Sequence, residues 1–283
     1  MKLEGRRTSS NVDDRRSSRG AVAGLGIGGI IIAAVIAWMT GGNPLEVITG
    51  QLANVTQGGT EYVPSAKEEA MATFASQILA GTEDVWTKEF QKMGRKYTPP
   101  KMVLFTQATS SGCGSASSQT GPFYCPADQT VYLDLSFFDQ MSEQLGAGGD
   151  FAYAYVIAHE VGHHVQFLLG TLDKVQQLQS RASKKESNQL NVRLELQADF
   201  YAGIWAFHDN KMYNSLEKGD IEKGLNAASA IGDDRLQMQS QGYTVPDAFN
   251  HGTSAQRVRW LKKGATTGQV ADGDTFSPDY ASL

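Results

Sequence analysis

The longest run of apolar positions in the chain is residues 21–39, AVAGLGIGGIIIAAVIAWM, which contains no charged side chain. At about 1.5 Å per residue, a helix of this length spans roughly 29 Å, close to the hydrocarbon thickness of a bilayer. A cleaved signal peptide is the alternative, but its apolar region is usually only about 7 to 15 residues long. The pattern therefore predicts one transmembrane helix.

The segments on either side of this run are polar and show no hydrophobic periodicity. Residues 1–20 are rich in Arg and Ser and predict a disordered, basic tail. Because positive charge favours the cytoplasmic side, we expect this tail in the cytoplasm and the rest of the chain on the periplasmic or extracellular side of the cell membrane. Residues 40–64, with paired glycines and little periodicity, predict a linker to a domain at residues 65–283.

Within residues 65–283 the apolar positions recur mainly at helical spacing. Ser65 followed by Glu68 predicts a capping box at the start of a first helix, and the pattern from about residue 150 to residue 263 is helical or connecting. Residues 102–105 and 131–138 instead predict strands, and the second alternates apolar and polar side chains as a half-buried strand does. The final twenty residues are expected to be loose. The predicted fold class is α+β.

Composition adds two constraints to this picture. The chain has 283 residues and a formal net charge of −5, so it lacks the broad basic surface of nucleic-acid-binding proteins, and we expect no nucleic-acid partner. Cys113 and Cys125 both fall on the expected exported side, where an oxidising compartment would let them pair. We predict one disulfide between them; two buried free thiols are the alternative.

The candidate chemistry lies in AYVIAHEVGHHVQFLLG, residues 154–170, which holds three of the five histidines. HEVGH fits the H-E-x-x-H pattern, and on a helix His159 and His163 lie about 40° apart, so both can bind one metal ion. Glu160 is turned by about 100° from His159 and can reach a metal-bound water. His164 is turned by about 140° and is predicted to be a structural residue or one at the rim of the site.

A second helix, predicted over residues 188–208, carries carboxylates four residues apart. Glu195 and Asp199 lie on a face next to its apolar positions. Two histidines, one glutamate and an open fourth position make up one known type of catalytic zinc site, so we predict Glu195 as the third ligand. Asp199 is predicted to accept the second ring N–H of a ligating histidine. Taken without H-E-x-x-H, the two carboxylates would indicate a solvated helix face.

A di-iron carboxylate site is the rival metal site, since Glu160 and His163 also fit its E-x-x-H element. Such a site needs a second E-x-x-H element, which the sequence does not contain. Two further candidates lie in FNHGTSAQRVRWLKK, residues 249–263: His251 and Arg257 could stabilise the negative charge that amide hydrolysis builds on the carbonyl oxygen. A surface histidine and a salt-bridge arginine are the alternatives, and His208 is interpreted as structural.

Three segments, CGSASSQTGPFYCPADQTVYLDLSFF, AYVIAHEVGHHVQ and RLELQADFYAGIWA, together resemble the bacterial family called "putative neutral zinc metallopeptidase". The resemblance implies a zincin-like α+β fold with a small sheet packed on the H-E-x-x-H helix and a second, glutamate-bearing helix. It also implies Zn²⁺ as cofactor, His159 and His163 as ligands and Glu160 as the catalytic residue. HGTSAQR is more weakly similar to the His-Pro-x-x-x-x-Arg segment of CaaX-processing metalloproteases, with Gly252 in place of the proline.

These observations predict a membrane-anchored zinc peptidase in which zinc activates a water molecule and Glu160 acts as general base. The expected partner is a polypeptide substrate, lying as an extended strand along residues 131–138. A zinc-stabilised adaptor that binds exported proteins without turnover is the alternative from another class. Amidase action on cell-wall peptides would keep the chemistry and change the substrate. The sequence makes no prediction of oligomeric state.

Overall fold

The computed structural model describes residues 1–16, 63–117 and 120–283. The predicted transmembrane run at residues 21–39 and all but the end of the predicted linker at residues 40–64 lie outside these ranges, so both stay predictions. Within the described ranges, no helix is both long enough and apolar enough to cross a bilayer.

A small mixed sheet forms one layer of the domain. Its strands lie in the order β1 (Val12–Asp14), β2 (Lys101–Phe105), β6 (Thr130–Asp134) and β5 (Phe123–Cys125), and a separate hairpin consists of β3 (Ala108–Ser111) and β4 (Gly114–Ser117). β1 and β6 run parallel to β2, whereas β5 runs antiparallel to β6. One face of the sheet packs on the helices, and the other face, which includes Cys125 of β5, packs against Ala116 of the hairpin.

The strand predicted at residues 131–138 differs from the observed one in length and in burial. β6 ends at Asp134, and Ser136 already begins a helix. All five residues of β6 are buried, because Val131 and Leu133 face the helical layer while Tyr132 packs on the opposite side with the hairpin. The region between the two predicted strands was expected to lack regular structure, but it forms the hairpin and β5. The predicted disulfide between Cys113 and Cys125 is present and joins the hairpin to β5.

The second layer is helical. Its helices are α1 (Ala66–Lys92), α2 (Ser136–Leu145), α3 (Asp150–Leu169), α4 (Thr171–Gln179), α5 (Lys184–Tyr213), α6 (Asp220–Ala230), α7 (Asp233–Gln241) and α8 (Ser254–Thr267). The capping box predicted for α1 is confirmed, with Ser65 and Glu68 each bonded to the other's backbone N–H. α3 and α5 are central, because α3 packs on α1, α5 and α6, and α5 also packs on α8. Together the two layers make the fold mixed α+β, as predicted.

Residues 1–16, named here the N-terminal strap, are folded onto the domain, so the prediction of a disordered tail was wrong for them. Val12 to Asp14 pair with Met102 to Leu104 as strand β1. Arg6 donates two hydrogen bonds to the buried carboxylate of Asp209, at 3.0 and 2.7 Å. The arginines that suggested a solvated tail are therefore largely paired with carboxylates.

The last twenty residues are also ordered, contrary to the expectation that they would be loose. Thr275 and Leu283 are buried. Arg193 on α5 donates hydrogen bonds to the carbonyl oxygens of Thr275 and Pro278. This C-terminal segment therefore packs along α5, the helix that carries Glu195 and Asp199.

Candidate metal centre

Helix α3 places the H-E-x-x-H residues in the interior of the domain. Most of this helix is buried, including His159 and Glu160, which are 6% and 8% exposed. Polar side chains at such positions are stable only when they are hydrogen-bonded or coordinate an ion. Each of them therefore needs a partner from another part of the fold.

A glycine within the motif allows the second helix to come close. A Cβ atom at Gly162 would lie 2.9 Å from the carbonyl oxygen of Ala198 and 3.1 Å from its Cα. No residue with a side chain fits this gap without movement of α3 or α5. The contact holds the α5 backbone against α3 one turn away from Glu195, so the glutamate side chain can reach both histidines.

The three predicted metal ligands meet at one point between the two helices. His159 Nε2 lies 3.2 Å from Glu195 Oε2, and His163 Nε2 lies 3.4 Å from Glu195 Oε1. One donor atom from each of the three residues lies within 4.8 Å of the other two. Two imidazole nitrogens and one carboxylate oxygen are a ligand set that suits zinc and leaves a fourth position open.

Asp199 lies at the other ring nitrogen of His159. The His159 Nδ1–H donates to Asp199 Oδ1 at 2.8 Å, and the Tyr155 hydroxyl donates to the same oxygen at 2.6 Å. Burial lowers the pKa of His159, but Asp199 and Glu195 raise it more, to about 10. The carboxylates that raise this pKa are also the negative charges that would face a cation bound at Nε2. Asp199 thus fixes Nε2 of His159 as the atom facing Glu195.

Arg257 reaches the same carboxylate from α8. Its Nε donates to Asp199 Oδ2 at 2.8 Å and a terminal nitrogen donates to Oδ1 at 2.9 Å. Burial alone would raise the pKa of Asp199, but the charges of Arg257 and His159 lower it below its usual value. The guanidinium is buried and bound to Asp199, as in the salt-bridge alternative, although it also borders the cleft described below.

Glu160 lines the same cleft as the three predicted ligands and does not belong to their cluster. Burial raises the pKa of Glu160 above its usual value, and this effect exceeds the lowering by the two imidazoles and by a hydrogen bond from the backbone of Tyr124. A carboxylate with a raised pKa can accept a proton and return it near neutral pH. Its position and electrostatics suit the role of general base.

The sequence did not indicate the partner of His163. The Nδ1 of His163 lies 2.9 Å from Oε1 of Gln166, a fully buried glutamine on the next turn of α3. A spacing of three residues on one helix is the signal that could have identified Gln166. Tyr155, four residues before His159, was also missed, and the i, i+4 spacing could have placed it on the same face of α3 as His159.

Two further histidines, His164 on α3 and His208 on α5, make structural contacts, as predicted. Nε2 of His164 donates to the Thr98 carbonyl oxygen at 2.7 Å, and its Nδ1 accepts from the Tyr124 hydroxyl at 2.9 Å. Burial lowers the pKa of His164 to about 4, so this ring is neutral at physiological pH. Nε2 of His208 lies 2.8 Å from the carbonyl oxygen of Gly268, far along α5 from the metal ligands.

His251 borders the cleft and is oriented by a carboxylate that the sequence did not indicate. Its Nδ1 lies 3.1 Å from Asp233 Oδ1, and the other oxygen of Asp233 accepts the backbone N–H groups of Asn250, His251 and Gly252. The hydrogen bond from His251 to Asp233 raises the pKa of the histidine. Gly252 has φ +92°, which proline cannot adopt, so this loop differs in backbone from the His-Pro segment that it weakly resembles.

A cleft of about 550 Å³ opens over this cluster. It is lined by the side chains already described and by a mainly apolar set: Phe123, Phe137, Val156, Leu172, Ile231 and Leu236. The expectation that substrate pairs with residues 131–138 was wrong, because β6 is already paired on one side with β2 and on the other with β5. Among the described strands, β5 is the outer one at this end of the sheet, and it borders the cleft.

Comparison with known proteins identifies relatives over the whole chain. The sequence model of a family described as "Putative neutral zinc metallopeptidase" matches residues 1–276. The chain is 51% identical to "Uncharacterized protein YpfJ" of Escherichia coli over 286 residues, which cover 98% of this chain and 99% of that protein. It is 46% identical to "Uncharacterized protein Rv2575" of Mycobacterium tuberculosis over 191 residues, 64% of each chain. No solved structure matches it.

Proposed function

Because the chain belongs to the family described as "Putative neutral zinc metallopeptidase", we propose that it is a zinc-dependent peptidase. One observation carries the proposal: His159, His163 and Glu195 converge within 4.8 Å, beside the buried Glu160 and under an open cleft. The two imidazoles would hold zinc through Nε2 and Glu195 through its carboxylate. Bound zinc would supply Lewis acidity for a peptide carbonyl and lower the pKa of its water.

The remaining chemistry belongs to the side chains around the ligands. Glu160 takes a proton from the attacking water and later returns one to the leaving amine, which its raised pKa favours. His251, held by Asp233, donates a hydrogen bond to the carbonyl oxygen as negative charge develops there. Arg257 acts one step further from the substrate, by neutralising Asp199 while that carboxylate orients His159.

The substrate class that suits the cleft is an extended polypeptide. β5 offers its outer edge to the cleft, and a substrate strand can form main-chain hydrogen bonds there with little dependence on sequence. Apolar side chains such as Phe137 and Leu236 line the cleft together with the predicted ligands, which favours bulky apolar side chains in the substrate. Attachment to a membrane through residues 21–39 stays a prediction.

The test uses the variants Glu160→Gln and Glu195→Ala, with metal content and cleavage of unfolded proteins measured for each. We expect Glu160→Gln to keep about one zinc per chain and lose turnover, because the amide cannot accept the proton. Glu195→Ala should lose most of the zinc. A wild-type protein that binds zinc and cleaves none of a varied set of unfolded proteins would instead support the zinc-stabilised adaptor. A folded wild type that binds no zinc would refute both.

A further inference from the structure

The buried amide of Gln166 makes three hydrogen bonds, and two of them fix its orientation. Its Nε2 donates to the Leu194 carbonyl oxygen at 2.7 Å and to Gln197 Oε1 at 3.2 Å. Gln197 is held in turn, since its own Nε2 donates to the Gly273 carbonyl oxygen at 2.8 Å. A carbonyl oxygen can only accept, so neither amide can be turned around without losing these bonds.

This fixed orientation determines which nitrogen of His163 carries hydrogen. With Nε2 of Gln166 committed to two acceptors, its Oε1 is the atom that faces His163 Nδ1 at 2.9 Å. An oxygen can only accept there, so Nδ1 must be the protonated nitrogen and Nε2 carries the lone pair. Nε2 is the atom that lies 3.4 Å from Glu195.

We propose that Gln166 is a positioning residue that holds His163 in the tautomer and orientation needed for metal binding, and that Gln197 connects it to the C-terminal segment at Gly273. This proposal rests on the proposed zinc site. Under this proposal different groups orient the two histidines. His159 is oriented by the carboxylate of Asp199, which also binds Arg257. His163 is oriented by the neutral amide of Gln166, which donates to the main-chain carbonyl oxygen of Leu194. The C-terminal segment thereby contributes to a metal site that it does not touch.

The experiment measures zinc affinity by chelator competition for wild type, Gln166→Met and Gln166→Glu. Methionine keeps the length of the side chain and removes the acceptor, so we expect affinity to fall by about 10 to 100-fold. A protonated glutamate keeps an acceptor oxygen for His163 and a donor for the Leu194 carbonyl oxygen, so this variant should bind zinc more tightly than the methionine variant. The absorption spectrum of bound Co²⁺ gives a second readout, which should change in the methionine variant because the His163 ring is free to turn.

Gln179→Met is the matched control, because Gln179 is a glutamine on α4 whose described hydrogen bonds go to Ser187 and Asn191 and to none of the predicted ligands, and its zinc affinity should equal that of wild type. Far-UV circular dichroism of the metal-free proteins tests folding, and Gln166→Ala replaces the methionine variant if that one does not fold. Equal zinc affinity in wild type and in a folded acceptor-free variant would overturn the proposal. Absence of zinc from the wild type would instead refute the proposed function itself.

A second inference comes from the N-terminal strap and is independent of the metal site. The strap contacts three elements of the domain. Backbone bonds join Asn11 and Arg15 to β2, Ser9 bonds to Ser76 on α1, and Arg6 bonds to Asp209 on α5. Asp209 is buried, and its other described hydrogen bond comes from the neutral hydroxyl of Ser215. Arg6 is therefore the cation that the structure provides for this buried charge.

We infer that the strap and the metal-site domain lie on the same side of the cell membrane. Two parts of one folded body cannot be separated by a bilayer, so the strap's contacts are incompatible with residues 1–16 and the domain on opposite sides of a membrane. Any membrane attachment through residues 21–39 would therefore have to leave both parts on one side. The disulfide between Cys113 and Cys125 forms in an oxidising compartment, which places the domain, and the strap with it, outside the cytoplasm. This assignment replaces the cytoplasmic N-terminus that the positive charges of residues 1–20 suggested.

The test labels single cysteines with a membrane-impermeant maleimide in spheroplasts that express the full chain. The described part of the native protein has no free thiol, so Thr8→Cys in the strap and Lys262→Cys on α8 give unique targets at exposed positions. We expect both variants to be labelled before lysis and to the same extent. Labelling of position 262 alone before lysis would overturn the inference, and labelling of both only after lysis would overturn its exported location.

Discussion

The close approach of α5 to Gly162 on α3 offers a direct test of how the proposed metal site is built. In Gly162→Ala the new Cβ would lie 3.1 Å from Cα and 2.9 Å from the carbonyl oxygen of Ala198, and both are backbone atoms that cannot rotate away. Carbon atoms pack at about 3.5 to 4.0 Å, so α3 and α5 must separate by roughly 0.5 Å. Zinc ligand distances tolerate only about 0.2 Å, so we expect zinc affinity to fall at least about ten-fold.

The experiment distinguishes an effect on the free energy of unfolding from an effect on zinc affinity. Overpacking costs about 1 to 3 kcal/mol, and alanine recovers about 1 kcal/mol over glycine in a helix, so the metal-free protein should lose at most about 2 kcal/mol of unfolding free energy. Gly224→Ala is the control, because its Cβ would meet the Phe151 ring at 2.5 Å in a part of the core away from Glu195. Urea unfolding should show a similar loss in both variants, and chelator competition a loss of zinc affinity in Gly162→Ala alone. Equal zinc affinity in both would refute the role assigned to the glycine.

Three further outcomes follow from the same contacts. Replacing Cys113 and Cys125 by alanine should lower the unfolding free energy by about 3 kcal/mol, measured by urea titration, since the crosslink closes a short loop; an unchanged midpoint would contradict this. Arg6→Met should cost about 3 to 5 kcal/mol, because it leaves a buried carboxylate unpaired, and a smaller loss would mean that the strap is not docked in solution. Asp233 raises the pKa of His251, so activity should fall as pH rises through that raised value; Asp233→Asn should move this fall to lower pH, and an unmoved pH profile would exclude His251 from the reaction.

The cluster proposed as the metal site could be predicted from sequence, because helical spacing puts its members on one face of each of the two helices. His159 and His163 on α3 share a face by the i, i+4 rule, as do Glu195 and Asp199 on α5. The sequence did not show that these two helix faces lie against each other. The structure shows it, and Gly162 permits the close approach because it has no side chain. Asp233 could not be predicted in the same way, since its contacts with residues 250–252 cross a loop and follow no helical or strand period.

Burial of the sheet shows a different limit of pattern analysis. Alternation correctly indicated which side chains share a face within the part of residues 131–138 that is a strand, since Val131 and Leu133 pack on the helices while Tyr132 points the other way. Alternation cannot indicate whether the second face meets water or another part of the chain. Here the hairpin covers it, and the aromatic ring of Tyr132 stacks on Phe123 at 5.1 Å between centroids. A polar-looking face that contains a tyrosine is therefore compatible with burial.

The strap was missed because a run of charged residues has the same pattern whether water or carboxylates surround it. The partners of Arg6 and Arg7 are 203 and 77 positions away in sequence, so no local period can relate them. A signal existed at the other end of the pair: Asp209 follows Ala202 and Trp205 on the buried stripe of α5, where an acidic side chain interrupts an apolar face. An unpaired carboxylate at such a position would be costly, so its presence requires a cation from elsewhere in the fold. Searching the basic segments for that cation would have led to the strap.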